Sequence, residues 1–512
     1  MNTRLLTILL ASICSLAACD KTDKPHEGPE QEQEHGHKHV FELVKGVQIT
    51  DCTDGYRDCY RCKDCGLYFE DEEGKVSIGY QDSYNAWTQD PDKGKLLAPD
   101  DFLCFTADEA GSTISMVFGE IHVITSLDYF YSDYYKPSLF YSRDMQTWEP
   151  FKLQETVVEL KNVGDRIYLR GLNGKITKGP VEVNFSMTGK ISASGSVMSI
   201  LDDRGVLRKA PAAAFQYLFK GCTSLVSAPN LPATELEERC YWEMFSGCTG
   251  LIEAPELPAT VLADFCYRGM FKDCTGLIAC PELPATDLEV ACYGGMFEGC
   301  TGLTHGPELP ATNLEEGCYG GMFAGCTGLV VCPELPVTTL KGGCYGGMFK
   351  DCTGLISCPE LPATTLEKDC YGGMFEGCTG LTHGPELPAT DLAEFCYETM
   401  FLGCTSMIEA PELPATDLPK GCYRFMFKDC TSLRTAPYLP ALDLAEECYQ
   451  CMFLGCHELD SVKAMFLDAS PEYLEDWLLY TAEKGTFIKN PAAVWDRESA
   501  GVPEGWEITD AS

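Results

Sequence analysis

The sequence predicts an α/β repeat solenoid preceded by a small cysteine-bearing module and an antiparallel β-sandwich-like domain. Three observations predict it. Across residues 222–456 one unit recurs every 26 residues, the step from Cys240 to Cys266; fixed periods in the twenties mark stacked coils. Across residues 97–208 apolar and polar residues alternate between turn signals, the pattern of half-buried strands. Ahead of both, residues 39–80 gather His39, Cys52, Cys59, Cys62 and Cys65.

The chain has 512 residues, enough for three or four domains at roughly 150 residues each. Its formal net charge is −39, from 77 acidic and 38 basic residues. Such a surface repels phosphate backbones and anionic headgroups, so nucleic acid is not an expected partner. Cations and cationic partners are favoured instead.

The N-terminus reads as an address. Residues 1–4 are short and basic, and residues 5–13 form an apolar run too short to span a bilayer. Leu16-Ala17-Ala18-Cys19 then resembles the lipobox of bacterial lipoproteins. That resemblance implies a signal peptide over residues 1–18 and an acylated Cys19. Contact with the membrane would then be through the lipid alone. Residues 19–38 are polar and form an acidic tether that cannot bury a core. Asp20, just after Cys19, resembles the acidic export signals of surface lipoproteins, which implies a surface-exposed anchor on the cell outer membrane.

In the small module, Cys62-Lys-Asp-Cys65-Gly66 is a turn that aims two thiolates at one tetrahedral ion. The stretch from Cys52 to Gly74 resembles a short repeat of bacterial surface proteins. The resemblance implies one structural zinc held by His39, Cys52, Cys62 and Cys65. Cys59 departs from that pattern and keeps a rival open: disulfides pairing Cys52 with Cys59 or Cys62 with Cys65 in an exported chain. Four protein ligands leave no open coordination position, so the module is not a catalytic centre. No organic cofactor is expected.

In the β-rich stretch, residues 113–118 and 120–124 alternate as strands, and Gly164-Asp165 and Leu172-Asn173-Gly174 supply turns. Leu139-Phe140-Tyr141-Ser142, Arg143-Asp144 and Trp148 resemble the strand that precedes arrays of the kind described next. Tyr129, Tyr131, Tyr134 and Tyr135 beside Phe130 are expected to pack across strands, with sugar stacking as the alternative.

The repeat unit reads Cys240-Tyr241-Trp242-Glu243-Met244-Phe245, then Cys248, Leu251, Ala254-Pro255-Glu256-Leu257 and Leu262. Cys240, Met244 and Cys248 are four apart and so line one side of a helical turn. Residues 248–257 fit a short parallel strand with Leu251, Ala254 and Leu257 inward. The pairs Gly294-Gly295, Gly320-Gly321, Gly346-Gly347 and Gly372-Gly373 would sit in the helical turn, each glycine costing ~1 kcal/mol there relative to alanine. The pattern resembles the BspA-like leucine-rich repeat family. It implies an α/β leucine-rich-repeat solenoid over residues 209–456, a cap over residues 457–512, and adhesion to surface proteins. The cysteine columns read as small buried hydrophobes, with ladder disulfides between copies as the minority alternative.

Positions that vary between copies carry specificity. They are Ile252-Glu253, Ile278-Ala279, Thr304-His305, Val330-Val331, Ile356-Ser357, Thr382-His383, Ile408-Glu409 and Arg434-Thr435. Beside them run Glu256, Glu282, Glu308, Glu334, Glu360, Glu386 and Glu412. With His305 and His383 these form the candidate binding face, the glutamate column by itself reading first as a solvated edge that keeps the array soluble. No Gly-x-Ser-x-Gly elbow, His-Glu-x-x-His, P-loop or dinucleotide fingerprint is present, so the chain is not expected to be an enzyme. The expectation is a monomeric surface protein that binds a host or bacterial surface protein or glycan through the solenoid. The alternative is a glycan-handling accessory protein whose β domain binds carbohydrate, the solenoid acting as spacer.

Overall fold

The computed structural model describes residues 101–119, 139–171, 183–201 and 207–512 in full, and earlier in the chain only the backbone of five strands. Two compact units divide the chain, Met1–Lys95 and Leu96–Ser512. In the first, β1 (Glu30–Glu32), β2 (Lys38–Val44), β3 (Cys59–Cys62), β4 (Tyr68–Phe69) and β5 (Ser77–Ile78) pair antiparallel in sequence order.

The second unit opens with eight strands: β6 (Leu103–Ala107), β7 (Ser112–Phe118), β8 (Leu139–Ser142), β9 (Glu149–Phe151), β10 (Val157–Leu160), β11 (Arg166–Gly171), β12 (Val183–Thr188) and β13 (Ile191–Ser194). One sheet orders β10-β7-β12 and the other contains β13-β6-β11-β8-β9. Ser112, Ile114 and Met116 of β7 are buried while Thr113 and Ser115 between them are not, the period of two expected where one strand face meets a core. The sheets meet where Phe105 packs edge-to-face on Phe185, centroids 5.1 Å apart. Asp144 closes the β8–β9 turn by accepting from the Gln146 and Thr147 amides, both at 2.8 Å. Those bonds hold its carboxyl down to about 2.

The sandwich runs directly into the solenoid. β13 pairs parallel with β15 (Leu225–Ser227) of the first coil, and the short β14 (Lys209–Ala210) pairs parallel with β16 (Glu235–Leu236) of the next. The Phe185 amide of β12 donates to the Leu218 carbonyl at 2.8 Å, and the Phe185 and Phe219 rings lie 5.3 Å apart. The sandwich therefore supplies the polar-faced cap that a stack of coils requires at its end.

The coils are not the expected α/β units. In residues 239–248 successive amides alternate between two partners. Cys240, Trp242, Met244 and Ser246 donate to the carbonyl three residues back. Arg239, Tyr241, Glu243, Phe245 and Gly247 donate to the carbonyl 25 residues ahead, in the next coil. Arg239, Glu243 and Gly247 have φ of 59°, 48° and 74°. A left-handed residue every fourth position turns the chain back before a helix can form. The result is a flat wall of consecutive β-turns. The glycines at Gly295, Gly321, Gly347 and Gly373 are therefore not helix interiors; each holds a φ near 60° that suits glycine. The expected strand survives as single parallel bridges on the opposite side, such as Glu253 with Ala279 and His305 with Val331. The fold is thus a β-solenoid of about 12 coils, 2% helical, and not an α/β leucine-rich repeat.

Stacking fills the interior. Tyr241 and its eight counterparts form a ladder with centroids 5.7–6.1 Å apart. Phe219 and its nine counterparts form a second at 5.2–5.8 Å. Offset aromatic pairs contribute about 0.5–1.5 kcal/mol each beyond the area they bury. Every cysteine from Cys104 to Cys456 is a free thiol. In one column, cysteines 248 through 456 donate through Sγ to the phenylalanine carbonyl 29 residues earlier, at 2.9–3.1 Å. Cys222 extends that column into the sandwich by donating to Phe185 at 3.0 Å.

At the far end β17 (Thr435–Leu439), β18 (Ser461–Ala464), β19 (Gly485–Lys489) and β20 (Trp506–Asp510) form a parallel sheet, with one helical turn, α1 (Pro471–Leu474), between β18 and β19. Trp477 stacks on Tyr449 at 6.2 Å and lies equally close to Phe453.

Candidate functional site

Each coil has two outer faces of different character. On the turn wall, carboxylates meet cations from neighbouring coils. Lys272 binds Glu298 and Lys350 binds Glu376, both at 2.9 Å. Lys220 binds Glu243 and Lys420 binds Glu446, both at 3.0 Å. A hollow of about 380 Å³ opens on this wall over Gly294, Gly295, Gly320 and Gly321. Its flanking Lys272 and Glu298 already satisfy one another.

The strand face differs. Its segments, residues 222–236 and the equivalents every 26 residues on, contain no Lys or Arg until Arg434. The same segments hold Glu256, Glu282, Glu308, Glu334, Glu360, Glu386 and Glu412, and all seven are exposed. Adjacent parallel strands lie roughly 4.8 Å apart, so these carboxylates form one stripe of like charge. Next to it, Ile252, Ile278, Val330, Ile356 and Ile408 stand out as large exposed aliphatic side chains. Parallel bridges at Glu253, His305, His383 and Glu409 fix the register of these columns.

His305 and His383 are exposed on this face. Each shares a hydrogen bond through Nδ1 with the hydroxyl of the threonine before it, Thr304 or Thr382, at 2.9 Å. His383 Nε2 then lies 3.7 Å from the Glu409 carboxylate. His305 faces Val331 instead. Around His383 the surface dips into a hollow of about 470 Å³ walled by Pro385, Glu386, Pro411 and Glu412. Gly384 at its edge packs tightly: a Cβ there would lie 3.0 Å from Phe401 Cζ and Pro411 Cδ. Cys280, Cys332 and Cys358, half-exposed at the rim of the face, lie 3.7 Å from the carbonyls of His305, Ser357 and His383.

The structure thus gathers the nine solenoid residues singled out from the sequence on one face. The charge segregation was missed, although the absence of Lys and Arg from the strand segments is its readable signal. The small module is described only as backbone. His39 lies on β2 and Cys62 on β3, strands that are neighbours with Phe41 opposite Cys62; Cys52 and Cys65 lie outside the described residues, as do Cys19 and the tyrosines 129–135. Among the described residues no group of three metal-capable side chains converges, and no helix is long and apolar enough to cross a membrane.

Compared with known proteins, the chain matches no family model, no curated protein and no solved structure.

Proposed function

We propose that this is a surface binding protein, monomeric and without catalytic activity, that engages a host or bacterial surface protein or glycan through the strand face of its solenoid. The observation that carries this reading is the division of charge between the two faces. Glu298, Glu376 and Glu446 on the turn wall pair with lysines of adjacent coils, whereas the strand segments that carry the glutamate stripe hold no Lys or Arg before Arg434. Like charges held side by side are destabilising, and a partner that relieves them gains that energy on binding. The sequence resemblance to BspA-like adhesins supports the same class.

Leu16-Ala17-Ala18-Cys19 supports lipid anchoring at the outer membrane. Changing Cys19 to Ala should move the protein from the membrane to the soluble fraction. The module around His39, Cys52, Cys62 and Cys65 is proposed to hold one structural zinc; elemental analysis finding no metal and an oxidised Cys62–Cys65 pair would replace zinc with a disulfide.

The binding reading is tested by a pull-down from surface proteins and glycans using the full chain. The comparison is a variant carrying His305→Ser, Glu334→Ala, Glu360→Ala and His383→Ser, with folding checked by circular dichroism. Retention should fall at least about tenfold for a face that supplies charge complementarity. Unchanged retention would make the solenoid a spacer and move binding to the β domain, the carbohydrate-binding alternative.

A further inference from the structure

Two columns on the strand face run side by side for most of the solenoid. One is aliphatic: Ile252, Ile278, Val330, Ile356 and Ile408 are 37–64% exposed. The other is the stripe from Glu256 to Glu412. Thr304-His305 and Thr382-His383 interrupt the aliphatic column three coils apart, which leaves the neighbouring pairs Ile252 with Ile278 and Val330 with Ile356. Exposed aliphatic side chains paired across neighbouring coils form small apolar patches of the kind that mark a contact surface. Here its acidic flank states the sign of whatever covers it.

We infer that the occupant is a cationic amphipathic polypeptide segment. Its aliphatic side chains lie on the isoleucine–valine column and its Lys or Arg groups on the glutamate stripe. This rests on the strand face being the binding face. Charge complementarity selects the cation, because the face offers carboxylates and no Lys or Arg before Arg434. The apolar groups select a polypeptide over a sugar. No Phe, Tyr or Trp stands on these strand segments before Tyr438, so a pyranose would find none of the broad rings on which sugars stack. Nucleic acid and anionic lipid are repelled by the same carboxylates. The geometry suits a helix laid along the solenoid axis. Its turns rise about 5.4 Å, close to the roughly 4.8 Å step between coils, so two successive turns of one apolar face meet each aliphatic pair.

The test titrates fluorescent peptides into the full chain. One peptide patterns Leu and Lys as an amphipathic helix of about 18 residues, roughly 27 Å long. A second replaces Leu by Ser at equal charge, and a third replaces Lys by Glu. The Leu–Lys peptide should bind, and should weaken about tenfold with Glu308→Gln, Glu334→Gln and Glu360→Gln together, and again with Val330→Ser and Ile356→Ser. Glu298→Gln, Glu376→Gln and Glu446→Gln together, an equal loss of charge on the turn wall, should change affinity less than about twofold. Equal binding of the Ser–Lys peptide, or equal loss from the turn-wall variant, overturns the proposal in favour of diffuse attraction. If strand-face substitutions release a partner captured from surface extracts but leave the Leu–Lys peptide untouched, the polypeptide class is wrong and the face stands. If neither responds, both fall.

Discussion

Trp477 stacks its indole on the Tyr449 ring at 6.2 Å and at the same time contacts Phe453 at 6.2 Å, so one residue closes both aromatic ladders. Its Nε1 donates to the Ala500 carbonyl at 2.8 Å, and its carbonyl receives the Phe453 amide at 2.9 Å. The last coil is thereby joined to the cap through both packing and hydrogen bonding.

Trp477→Ala should therefore destabilise by about 3–5 kcal/mol. In a stack where each coil touches only its neighbours, the loss should spread from the exposed end. Hydrogen exchange should accelerate first in residues 447–456 and least near residues 213–222. Uniform acceleration along the solenoid would contradict end-capping by Trp477.

The turn wall predicts the sign of substitutions at its left-handed positions. Thr399 is β-branched and held at φ 55°, while Gly295, Gly321, Gly347 and Gly373 fill the same column. Left-handed backbone costs a non-glycine about 1–2 kcal/mol, partly offset by the greater freedom of unfolded glycine. Thr399→Gly should stabilise by up to about 1 kcal/mol, and Gly347→Val should destabilise by about 1–2 kcal/mol. Chemical denaturation measures both. A helix-like wall would give the opposite signs.

The thiol columns make stability sensitive to alkali. Burial pushes Cys326 and Cys404 from 9.0 up to about 12. A thiol raised in the folded state is protonated there while its unfolded counterpart ionises. Its stabilisation is complete below the unfolded value near 9 and is lost as pH rises toward 12. Each such thiol removes about 1.4 kcal/mol per pH unit across that window. The solenoid should unfold cooperatively above about pH 9 to 10. At pH 8, a thiol reagent should label the partly exposed Cys280, Cys332 and Cys358 before the fully buried columns, by access alone, since burial raises their thiols as well. Rapid labelling of all thiols in the folded protein, or regular bridges between copies, would contradict the ladder.

Why the helix was expected, and why it is absent, can be traced to a few residues. Cys240, Met244 and Cys248 are spaced by four, and a spacing of four serves both a helix of 3.6 residues per turn and a row of four-residue turns. The glycines at Gly247, Gly299 and Gly325, and again at Gly295, Gly321 and Gly347, separate the cases. A left-handed residue at every fourth position is incompatible with a helix. The glutamate stripe was legible because a strict 26-residue period returns Glu256 to the same place in each coil. The hollow beside His383 was not, since it depends on how closely Pro411 of the next coil approaches Gly384. Trp477 falls in the expected cap over residues 457–512, but its stacking on Tyr449 was not legible, since it lies 28 residues after Tyr449 and so out of register with the repeat.

The most direct test of the strand face as the binding face is a hydrogen-exchange footprint of the full chain with the surface partner recovered by pull-down. Exchange should slow at residues 252–253, 278–279, 330–331, 356–357 and 408–409, and stay unchanged at residues 294–295 and 320–321 on the turn wall. A footprint confined to residues 101–201, or one lying on the turn wall, would contradict the account.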